Sequence, residues 1–264
     1  MLDDIVMTKQ AEVEEAKSRL PLEDVKAQVA RYQSERSFRK AIKVEGKLSL
    51  IAELKRKSPS KGMLRERFDP VSLGQELEEA GAAALSVLTD EAYFGGSLDF
   101  LRDVKSFTSV PVLRKDFIVD PYQVYEAAIY QADAVLLIVR VLDEGQLFQC
   151  MQAADKMGIE PFVEVHTESE LRLAVSSGAH VIGINHRDLK TFKIDPTLTE
   201  KLVPKVPAGK IIVAESGLKT PEEIKRMKAL GVHAVLIGEA LMTAPDPKAK
   251  VHELFAGTWD APSA

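Results

Sequence analysis

The sequence predicts a single (β/α)8 barrel preceded by a helical segment. Eight short apolar segments recur along the chain, and helical sequence separates them. Several of them follow a helix that ends at or near a glycine, as in "EEAGAAALSVLT" (78–89) and "ALGVHAVLIG" (229–238). Glycine suits the left-handed backbone that closes a helix, and unbroken Val, Ile, Leu and Ala runs are typical of parallel strands buried on both faces. Strands that alternate with helices indicate repeated β-α-β units, and eight such units close a barrel of about 250 residues.

Residues 1–45 precede these units and are predicted to be helical. "MLDDIVMTKQAEVEEAKSRL" is charged, with apolar residues at helical intervals, and "PLEDVKAQVARY" begins a second helix with proline in its first turn. We therefore expect a helical extension over 1–45 that packs on the barrel, and a barrel over 46–255. The last residues, "AGTWDAPSA" (256–264), carry no periodic pattern and are predicted to be a loose tail.

The predicted strands have consistent spacing along the barrel region. Four of them lie at the ends of the segments 78–89, 129–139, 176–185 and 229–238, and the other four are "LSLIAELK" (48–55), "VPVLRKDF" (110–117), "EPFVEV" (160–165) and "KIIVAES" (210–216). An open, doubly wound sheet is the alternative fold. No strand is followed by the glycine-rich dinucleotide fingerprint, and the number of units is high, so the sequence favours the barrel.

Composition restricts the class of ligand and the compartment. Of the 264 residues, 45% are hydrophobic and 28% are charged, and the net charge of −5 disfavours nucleic acid or an acidic membrane as a partner. The single cysteine, Cys150, excludes an internal disulfide or a CxxC metal site and is expected in the core. The acidic N-terminal stretch does not resemble a signal peptide, and no apolar run reaches the roughly 18 residues that span a membrane, so we expect neither. We expect a cytoplasmic protein, a monomer or weak homodimer, with a local basic pocket for any anionic ligand.

The first predicted strand is charged near its end. Side chains two positions apart share one face of a strand, so Ile51, Glu53 and Lys55 point to the same side. An ionised carboxylate in an apolar layer is costly unless it is paired or functional. Lys55 is one partner for Glu53, and Lys115 is another if the barrel closes.

Polar residues also end several other predicted strands, where the active site of such a barrel lies. One charged strand end is explained by contact with solvent, but charged ends on several strands indicate a site. The residues concerned are Lys115 on the third strand, Glu164 on the fifth, Asn185 and Arg187 on the sixth, Glu215 and Ser216 on the seventh, and Gly238 at the end of the eighth.

The loops after strands seven and eight are the usual phosphate site of these barrels. In "SGLKTPEEIK", Thr220 and Glu223 form a capping box, and the helix that they begin is a possible anion site. In "IGEALM", a second helix begins at Gly238. Ordinary helix capping explains either loop alone. Ser58 and the lysines of "KRKSPSKG" would add a hydroxyl and positive charge.

Histidine and phenylalanine side chains near the strand ends are weaker evidence for a site than the charged residues. The five histidines lack the spacing of metal ligands, so we expect no metal. His186 is expected on the rim of the site, with ligand contact as the alternative. Phe94 and Phe117 follow strands two and three, where they either pack in the core or stack on an aromatic substrate.

Seven segments of the chain together resemble the indole-3-glycerol phosphate synthase family. They occur in order and without gaps from about residue 46 to 245: "LIAELKRKSPSKG", "ALSVLTDEAYFGGS", "VLRKDFIVD", "EVHTESEL", "IGINHRDL", "VAESG" and "VLIGEALM". The helical segment over 1–45 also resembles the extension that this family carries. The resemblance implies closure of an indole ring in tryptophan biosynthesis. The substrate would be 1-(2-carboxyphenylamino)-1-deoxyribulose 5-phosphate, and the products indole-3-glycerol phosphate, carbon dioxide and water, with no metal or organic cofactor.

The resemblance also implies a role for each motif residue. Lys115 would be the general acid that protonates the ketone oxygen, and Glu164 the acid/base in dehydration. Lys55 would hold the anthranilate carboxylate and help with proton transfer, and Glu53 would position Lys115 and the cationic intermediate. The remaining residues would order the substrate and its hydroxyls (Asn185, Arg187, Glu215, Ser216), hold phosphate (Ser58, Gly217, Gly238 and the backbone at Glu239), or bracket the aromatic ring (Pro59, Phe94, Phe117). No chemistry is placed on His186.

Two other functions fit parts of the pattern. Another phosphate-binding barrel enzyme, such as a sugar-phosphate isomerase of histidine or tryptophan biosynthesis, shares the phosphate loops but lacks the "ELKRKSPS" and "LRKDF" combination. A non-catalytic barrel that binds a metabolite or a partner would have no use for Lys55, Lys115 and Glu164 together. Release of carbon dioxide from the substrate named above separates all three.

Overall fold

Eight parallel strands form one closed barrel in the computed structural model, which describes residues 1–259. Each strand pairs with its neighbours in sequence, and the first also pairs with the last. The predicted barrel is therefore confirmed, and the alternative of an open sheet is wrong. The strands are β1 (Ser49–Leu54), β2 (Ala84–Leu88), β3 (Val112–Lys115), β4 (Ala134–Ile138), β5 (Glu160–Val165), β6 (Val181–Asn185), β7 (Ile211–Glu215) and β8 (Ala234–Ile237).

Twelve α-helices accompany these strands within residues 1–259. They are α1 (Leu2–Arg19), α2 (Leu22–Gln28), α3 (Phe38–Ile42), α4 (Pro70–Glu79), α5 (Leu98–Phe107), α6 (Pro121–Ile129), α7 (Glu144–Met157), α8 (Glu168–Ser176), α9 (Leu198–Leu202), α10 (Pro221–Ala229), α11 (Glu239–Met242) and α12 (Pro247–Leu254). A short 3-10 turn covers Val203–Lys205, and a two-stranded hairpin, Lys57–Ser58 with Gly62–Met63, follows β1. No helix in the described part of the chain is long and apolar enough to cross a membrane.

Side-chain alternation along the strands divides the apolar core into two parts. Leu50, Ala52 and Leu54 of β1 face outward and pack with the surrounding helices, whereas Ile51 faces the barrel interior. Every residue of β1 is nevertheless buried, because the helices cover the outer face. The strands are therefore apolar on both faces, and a charged residue on the inner face, such as Glu53, must find its partner inside the barrel.

The first 45 residues pack against both ends of the barrel. At the N-terminal ends of the strands, α3 inserts Phe38 and Ile42, both fully buried, and the Phe38 ring lies 6.1 Å from that of Phe162. At the other end, Leu2 and Ile5 of α1 join the interior apolar cluster. The extension thus supplies part of the barrel's own core, which a surface appendage would not do.

Trp259 packs on the barrel, where the sequence predicted a loose tail. Its indole ring stacks on Phe255 with 4.1 Å between the ring centroids, and its Nε1–H donates to the Leu48 carbonyl at 2.8 Å. A tryptophan that buries its ring and finds an acceptor for its N–H is well anchored. Residues 256–259 are therefore part of the packed structure, and the rest of the predicted tail, 260–264, lies outside the described residues.

Candidate active site

A pocket opens at the C-terminal ends of the barrel strands, and all fifteen residues predicted for the site line it. They come from the ends of strands and from the loops that follow them, which the barrel brings to one mouth. The pocket also contains residues that the sequence analysis did not identify, among them Leu2, Ile5, Leu189 and Phe192. The apolar positions of α1 predict a helix with one buried face, but they carry no information about which surface that face covers.

Lys115 lies at the centre of the pocket between two carboxylates. Its Nζ is 2.8 Å from Glu215 Oε2 and 3.1 Å from Glu164 Oε2, and the two glutamates are each 1% exposed. Burial opposes the ammonium form, but the charges of Glu215, Glu164 and Glu53 outweigh it and raise the pKa of Lys115. Lys115 is therefore a cation held by negative charge on several sides.

The two glutamates that hold Lys115 differ in their affinity for protons. Burial raises the pKa of Glu215 to about 7, and the charges of Glu164 and Glu53 add to this effect against the opposing charge of Lys115. Burial acts on Glu164 as well, but Lys115, His166 and the Asn185 amide outweigh it and lower the pKa of Glu164. Of these two neighbours, Glu164 is thus the ionised one near neutral pH, and Glu215 is the one poised to carry a proton.

Glu53 and Lys55 form a second ion pair, with 2.5 Å between Lys55 Nζ and Glu53 Oε1. The sequence predicted that Glu53 positions Lys115, but Glu164 and Glu215 are the direct partners of Lys115. Glu53 acts on Lys115 only at longer range, through its charge. Lys55 keeps 18% of its side chain exposed, at the edge of the pocket where an anion can reach it.

Two glycines leave room for the buried carboxylates. A Cβ on Gly238 would collide with the Glu53 carboxylate. A Cβ on Gly183 would collide with the Glu215 carboxylate and approach the Phe162 ring to 2.7 Å. Any side chain at either position would therefore displace a carboxylate of the central cluster.

The loops after β7 and β8 form a backbone cradle on one side of the pocket. Ser216 and Gly217 both have positive φ, 68° and 79°, which bends the chain sharply after β7. The capping box at Thr220 is present, but Glu223 Oε2 accepts from the amides of Lys219 and Thr220. The predicted capping box at the start of α10 is therefore confirmed, and the anion site at this helix start stays a prediction.

Charged and polar side chains border the cradle. Glu239, the first residue of α11, pairs with Arg187 at 3.3 Å and with Lys219 at 3.0 Å. Ser58, from the hairpin after β1, has a buried hydroxyl without a hydrogen-bond partner in the described chain. A buried, unpartnered hydroxyl in a pocket that also contains Arg187 and Lys219 is suited to an anionic ligand.

Two aromatic rings form an apolar wall opposite the cradle. The rings of Phe94 and Phe117 lie 6.0 Å apart at 35°. Hydrogen bonds hold the backbone of both residues in place. Asp90 Oδ1 accepts from the Phe94 amide at 3.2 Å, and Asp116 Oδ1 accepts from the Phe117 amide at 2.8 Å. Lys9 of α1 lies 3.1 Å from both aspartates and so links the extension to this wall.

His186 is buried beneath the site, and its expected position on the rim is wrong. It is 2% exposed and does not line the pocket. Its Nδ1–H donates to the Ser216 carbonyl at 2.9 Å, and its Nε2 accepts from the Thr199 hydroxyl at 2.6 Å. Burial lowers the pKa of His186, and one neutral tautomer satisfies both contacts. This histidine ties the loop after β6 to the loop after β7.

Comparison with known protein families identifies this architecture. A family model described as indole-3-glycerol phosphate synthase matches residues 2–254. Proteins named indole-3-glycerol phosphate synthase are similar over nearly the whole chain: one from Carboxydothermus hydrogenoformans is 43% identical, covering 97% of this chain and 99% of that protein, and one from Dehalococcoides mccartyi is 46% identical, covering 97% and 100%.

Solved structures resemble the chain in fold. The 3-hexulose-6-phosphate synthase from Salmonella typhimurium superposes with a TM-score of 0.63 at 16% identity, covering 78% of this chain and 96% of that one. Thiamine phosphate pyrophosphorylase from Pyrococcus furiosus gives 0.61 at 19% identity, covering 79% and 94%. These likenesses concern the barrel alone. The family model and the near-complete relatives, however, agree with the motifs and with the pocket, and the chain therefore belongs to the indole-3-glycerol phosphate synthase family.

Proposed function

We propose that Lys115 is the general acid of the indole-3-glycerol phosphate synthase reaction, which this chain catalyses. The reaction converts 1-(2-carboxyphenylamino)-1-deoxyribulose 5-phosphate to indole-3-glycerol phosphate, with loss of carbon dioxide and water. The observation that carries the proposal is the position of the Lys115 ammonium, held by Glu164 and Glu215 at the centre of the pocket. The carboxylates keep this ammonium protonated, and a positioned ammonium can give its proton to a ketone oxygen that gains negative charge.

Ring closure is the first bond-forming step. The ring carbon that bears the carboxylate attacks the ketone carbon, and the ketone oxygen takes a proton from Lys115. One carbon–carbon bond forms, the carbonyl becomes a hydroxyl, and positive charge develops on the anilino nitrogen. The buried carboxylates stabilise the positive charge on the nitrogen. Glu53 and Glu215 are suited to this role, because their charges already act on the Lys115 ammonium in the same pocket.

Loss of carbon dioxide and of water completes the reaction. The carbon–carboxylate bond breaks and its electron pair returns to the ring, which neutralises the nitrogen. The new hydroxyl then leaves as water, and the carbon next to the nitrogen loses a proton. We assign this proton to Glu164, because it is ionised and lies beside Lys115. Glu215, whose pKa is about 7, is suited to supply a proton to the leaving hydroxyl, directly or through Lys115.

The pocket has separate places for the two charged ends of the substrate. We place the anthranilate carboxylate at Lys55, which is partly exposed beside Glu53. We place the phosphate on the cradle formed by Gly217, Gly238 and the backbone at Glu239, with the hydroxyl of Ser58 beside it. The remaining pocket residues order the ring and the chain between them: Phe94, Phe117 and Pro59 against the ring, and Asn185, Arg187 and Ser216 toward the hydroxyls.

The proposal requires no metal or organic cofactor, because the Lys115 ammonium supplies the electrophile that polarises the ketone. We also propose that the active unit is a monomer or a weak homodimer that works in the cytoplasm. All residues assigned to the site come from one chain. The eight paired strands form a closed cylinder, which leaves no unpaired barrel edge within residues 1–259 for a second copy to extend.

The direct test is an assay with 1-(2-carboxyphenylamino)-1-deoxyribulose 5-phosphate that follows indole fluorescence and carbon dioxide together. We expect equal amounts of both products, in the presence and absence of a chelator. Turnover of the substrate without carbon dioxide would contradict the proposal and favour an isomerase. Binding of the substrate without turnover would favour a non-catalytic barrel.

A further inference from the structure

The loop after β6 contains a tight turn that forms one wall of the pocket. Residues 188–193 make up this turn, the β6 turn, and an antiparallel bridge between Arg187 and Ile194 closes it. Leu189 and Phe192 project from the β6 turn and line the pocket. The position of the turn therefore decides the shape of one side of the site.

The two residues that flank the β6 turn contact the cradle assigned to phosphate. A Cβ built on Gly217 would lie 2.8 Å from Ile194 Cγ2, so the Ile194 side chain lies directly against the cradle backbone. Arg187, at the other end of the turn, pairs with Glu239 at 3.3 Å, and the Glu239 backbone belongs to the same cradle. A displacement of the β6 turn would therefore disturb the cradle as well as the wall.

The backbone of the β6 turn is strained at Phe192. Its φ is 60°, in the left-handed region, although its side chain is bulky. A side chain of this size disfavours positive φ, because its Cβ comes too close to the following carbonyl oxygen. Such a conformation persists only where the surrounding contacts hold it in place. The β6 turn therefore depends on an anchor outside itself.

The Asp188 carboxylate organises the β6 turn with one oxygen and ties it to the barrel with the other. Oδ1 accepts from the amides of Lys190 at 3.0 Å and Thr191 at 2.8 Å, and from the Thr191 hydroxyl at 3.0 Å. Oδ2 accepts from Arg140 Nη1 at 2.7 Å. Burial opposes the charge on Asp188, but the hydrogen bonds from Thr191 and Arg140 outweigh it and lower the pKa of Asp188. Within residues 1–259, Arg140 is the only side chain outside the turn that donates to Asp188.

Arg140 is itself held by the neighbouring unit of the barrel. It lies two residues after Ile138, the last residue of β4, and its Nε donates to Glu170 Oε1 of α8 at 2.9 Å. The other oxygen of Glu170 accepts from the His166 amide, just after β5, at 2.6 Å. The side chains of Arg140 and Glu170 are only 17% and 14% exposed, so solvent screens this pair less than a surface pair. One guanidinium thus connects the loops after β4, β5 and β6.

We infer that Arg140 is a positioning residue for the reaction: it holds the β6 turn through Asp188, so that Leu189 and Phe192 stay against the substrate. This inference rests on the proposed function of the pocket. Arg140 does not line the pocket, so it acts on the substrate only through the turn. The groups assigned to proton transfer lie on barrel strands, apart from the turn. Loss of Arg140 should therefore weaken substrate binding more than it slows the chemical steps.

Steady-state kinetics of single and double variants test this division. In Arg140→Gln and in Asp188→Asn, we expect KM to rise about tenfold and kcat to fall less than about threefold, because the turn occupies its ordered position for a smaller fraction of the time. Asparagine keeps the oxygen that organises the turn but loses the charge that Arg140 binds. The double variant should resemble either single variant, since both changes remove the same contact.

Two further variants serve as controls. Arg140→Lys keeps the charge but not the planar fork that reaches Glu170 and Asp188 together, so its KM should lie between those of wild type and Arg140→Gln. Arg172→Gln removes an exposed arginine of α8 that pairs with Glu168, and it should behave as wild type.

Digestion of the folded protein with trypsin tests the anchoring of the turn without any assay of activity. Lys190 and Lys193 are exposed cleavage sites within the β6 turn. In Arg140→Gln and Asp188→Asn, we expect cleavage after these two lysines to be about tenfold faster than in wild type, because local opening of the turn exposes its backbone. The rest of the chain should stay as resistant as in wild type. Mass spectrometry of the fragments locates the cuts.

Three outcomes would overturn the inference. Wild-type KM and wild-type cleavage in folded Arg140→Gln would show that the turn needs no such anchor. A KM in the double variant that multiplies the two single effects would show that Arg140 does not act through Asp188. Cleavage along the whole chain, without preference for the turn, would make Arg140 a general stabilising residue. If wild type does not turn over the substrate, the proposed function fails instead, and the trypsin result still decides whether Arg140 anchors the turn.

Discussion

The carboxylate of Glu53 lies against Gly238, at the position where any side chain on residue 238 would begin. The glycine therefore serves two purposes, because the same residue starts the loop assigned to phosphate. Its lack of a side chain lets Glu53 stay on the inner face of β1 and pair with Lys55.

A single methyl group at residue 238 should consequently impair catalysis. We expect Gly238→Ala to lower kcat by roughly 10- to 100-fold, because the Glu53 carboxylate must move away from its place beside Lys55. Gly145→Ala, at the start of α7 and far from the pocket, is the control and should retain full activity. Wild-type kcat in a folded Gly238→Ala protein would show that the position of Glu53 is unimportant.

Glu164→Gln should fold normally and turn over poorly. The amide keeps the shape of the side chain but does not accept a proton, and positioned proton transfer is typically worth about 10²–10⁴ in rate. Steady-state kinetics of this variant, beside the exposed Glu222→Gln as a control, measure the loss. A loss of less than about tenfold would reduce Glu164 to a binding role.

The hydroxyl of Ser58 should contribute to phosphate binding rather than to chemistry. It is buried and unpartnered in the described chain, and a hydrogen bond to a charged group is worth about 1.5–3 kcal/mol. Ser58→Ala should therefore raise KM by roughly tenfold or more and leave kcat nearly unchanged. Ser176→Ala, on the exposed face of α8, should change neither. Unchanged KM in Ser58→Ala would place the phosphate elsewhere.

His186 should make the protein less stable in acid. Burial lowers the pKa of His186 in the folded state. Below about pH 6.5 the unfolded chain therefore binds a proton on this histidine that the folded chain does not bind. The contribution of His186 to the free energy of unfolding is therefore fully present above that pH. It is lost as the pH falls, by at most about 1.4 kcal/mol per pH unit.

Urea denaturation of wild type and His186→Gln at pH about 7.5 and about 5.5 isolates this effect. Removal of the hydrogen bonds to Ser216 and Thr199 should destabilise the variant at both pH values. Its further loss on acidification should be smaller than that of wild type, since all other titrating groups contribute equally. Equal losses in the two proteins would contradict the assignment of this acid sensitivity to His186.

The sequence was sufficient to predict which strands carry the site, because strand alternation and strand ends are local features. Ile51, Glu53 and Lys55 share a face in any strand, and a closed barrel brings its strand ends together. The partners of Lys115 were not predictable in this way. Three buried glutamates end three different strands, and the pairing with Glu164 and Glu215 depends on distances across the barrel.

Residues that act from outside the barrel strands were also beyond sequence reasoning. Leu2 and Ile5 enter the pocket only because α1 packs over the mouth. The segment around Trp259 has no periodic pattern. In the structure, however, the Trp259 ring stacks on Phe255 and donates a hydrogen bond to the Leu48 carbonyl. His166 is the second residue after Glu164 in the "EVH" motif, so alternation places it on the inner face. Its two carboxylate neighbours, Glu164 and Glu170, are close to it in sequence, but their distances to the ring depend on the turn that joins β5 to α8.

The turnover of Lys115→Arg beside that of Lys115→Met decides whether Lys115 donates a proton or only carries a charge. Arginine keeps the positive charge between Glu164 and Glu215, but it hardly ever gives up a proton, and its planar group is wider. If Lys115 is the general acid, kcat of Lys115→Arg should fall nearly as far as that of Lys115→Met, by at least about 10², with a much smaller change in substrate affinity. Near-wild-type turnover in Lys115→Arg would exclude Lys115 as the general acid and leave it as an electrostatic anchor for the substrate.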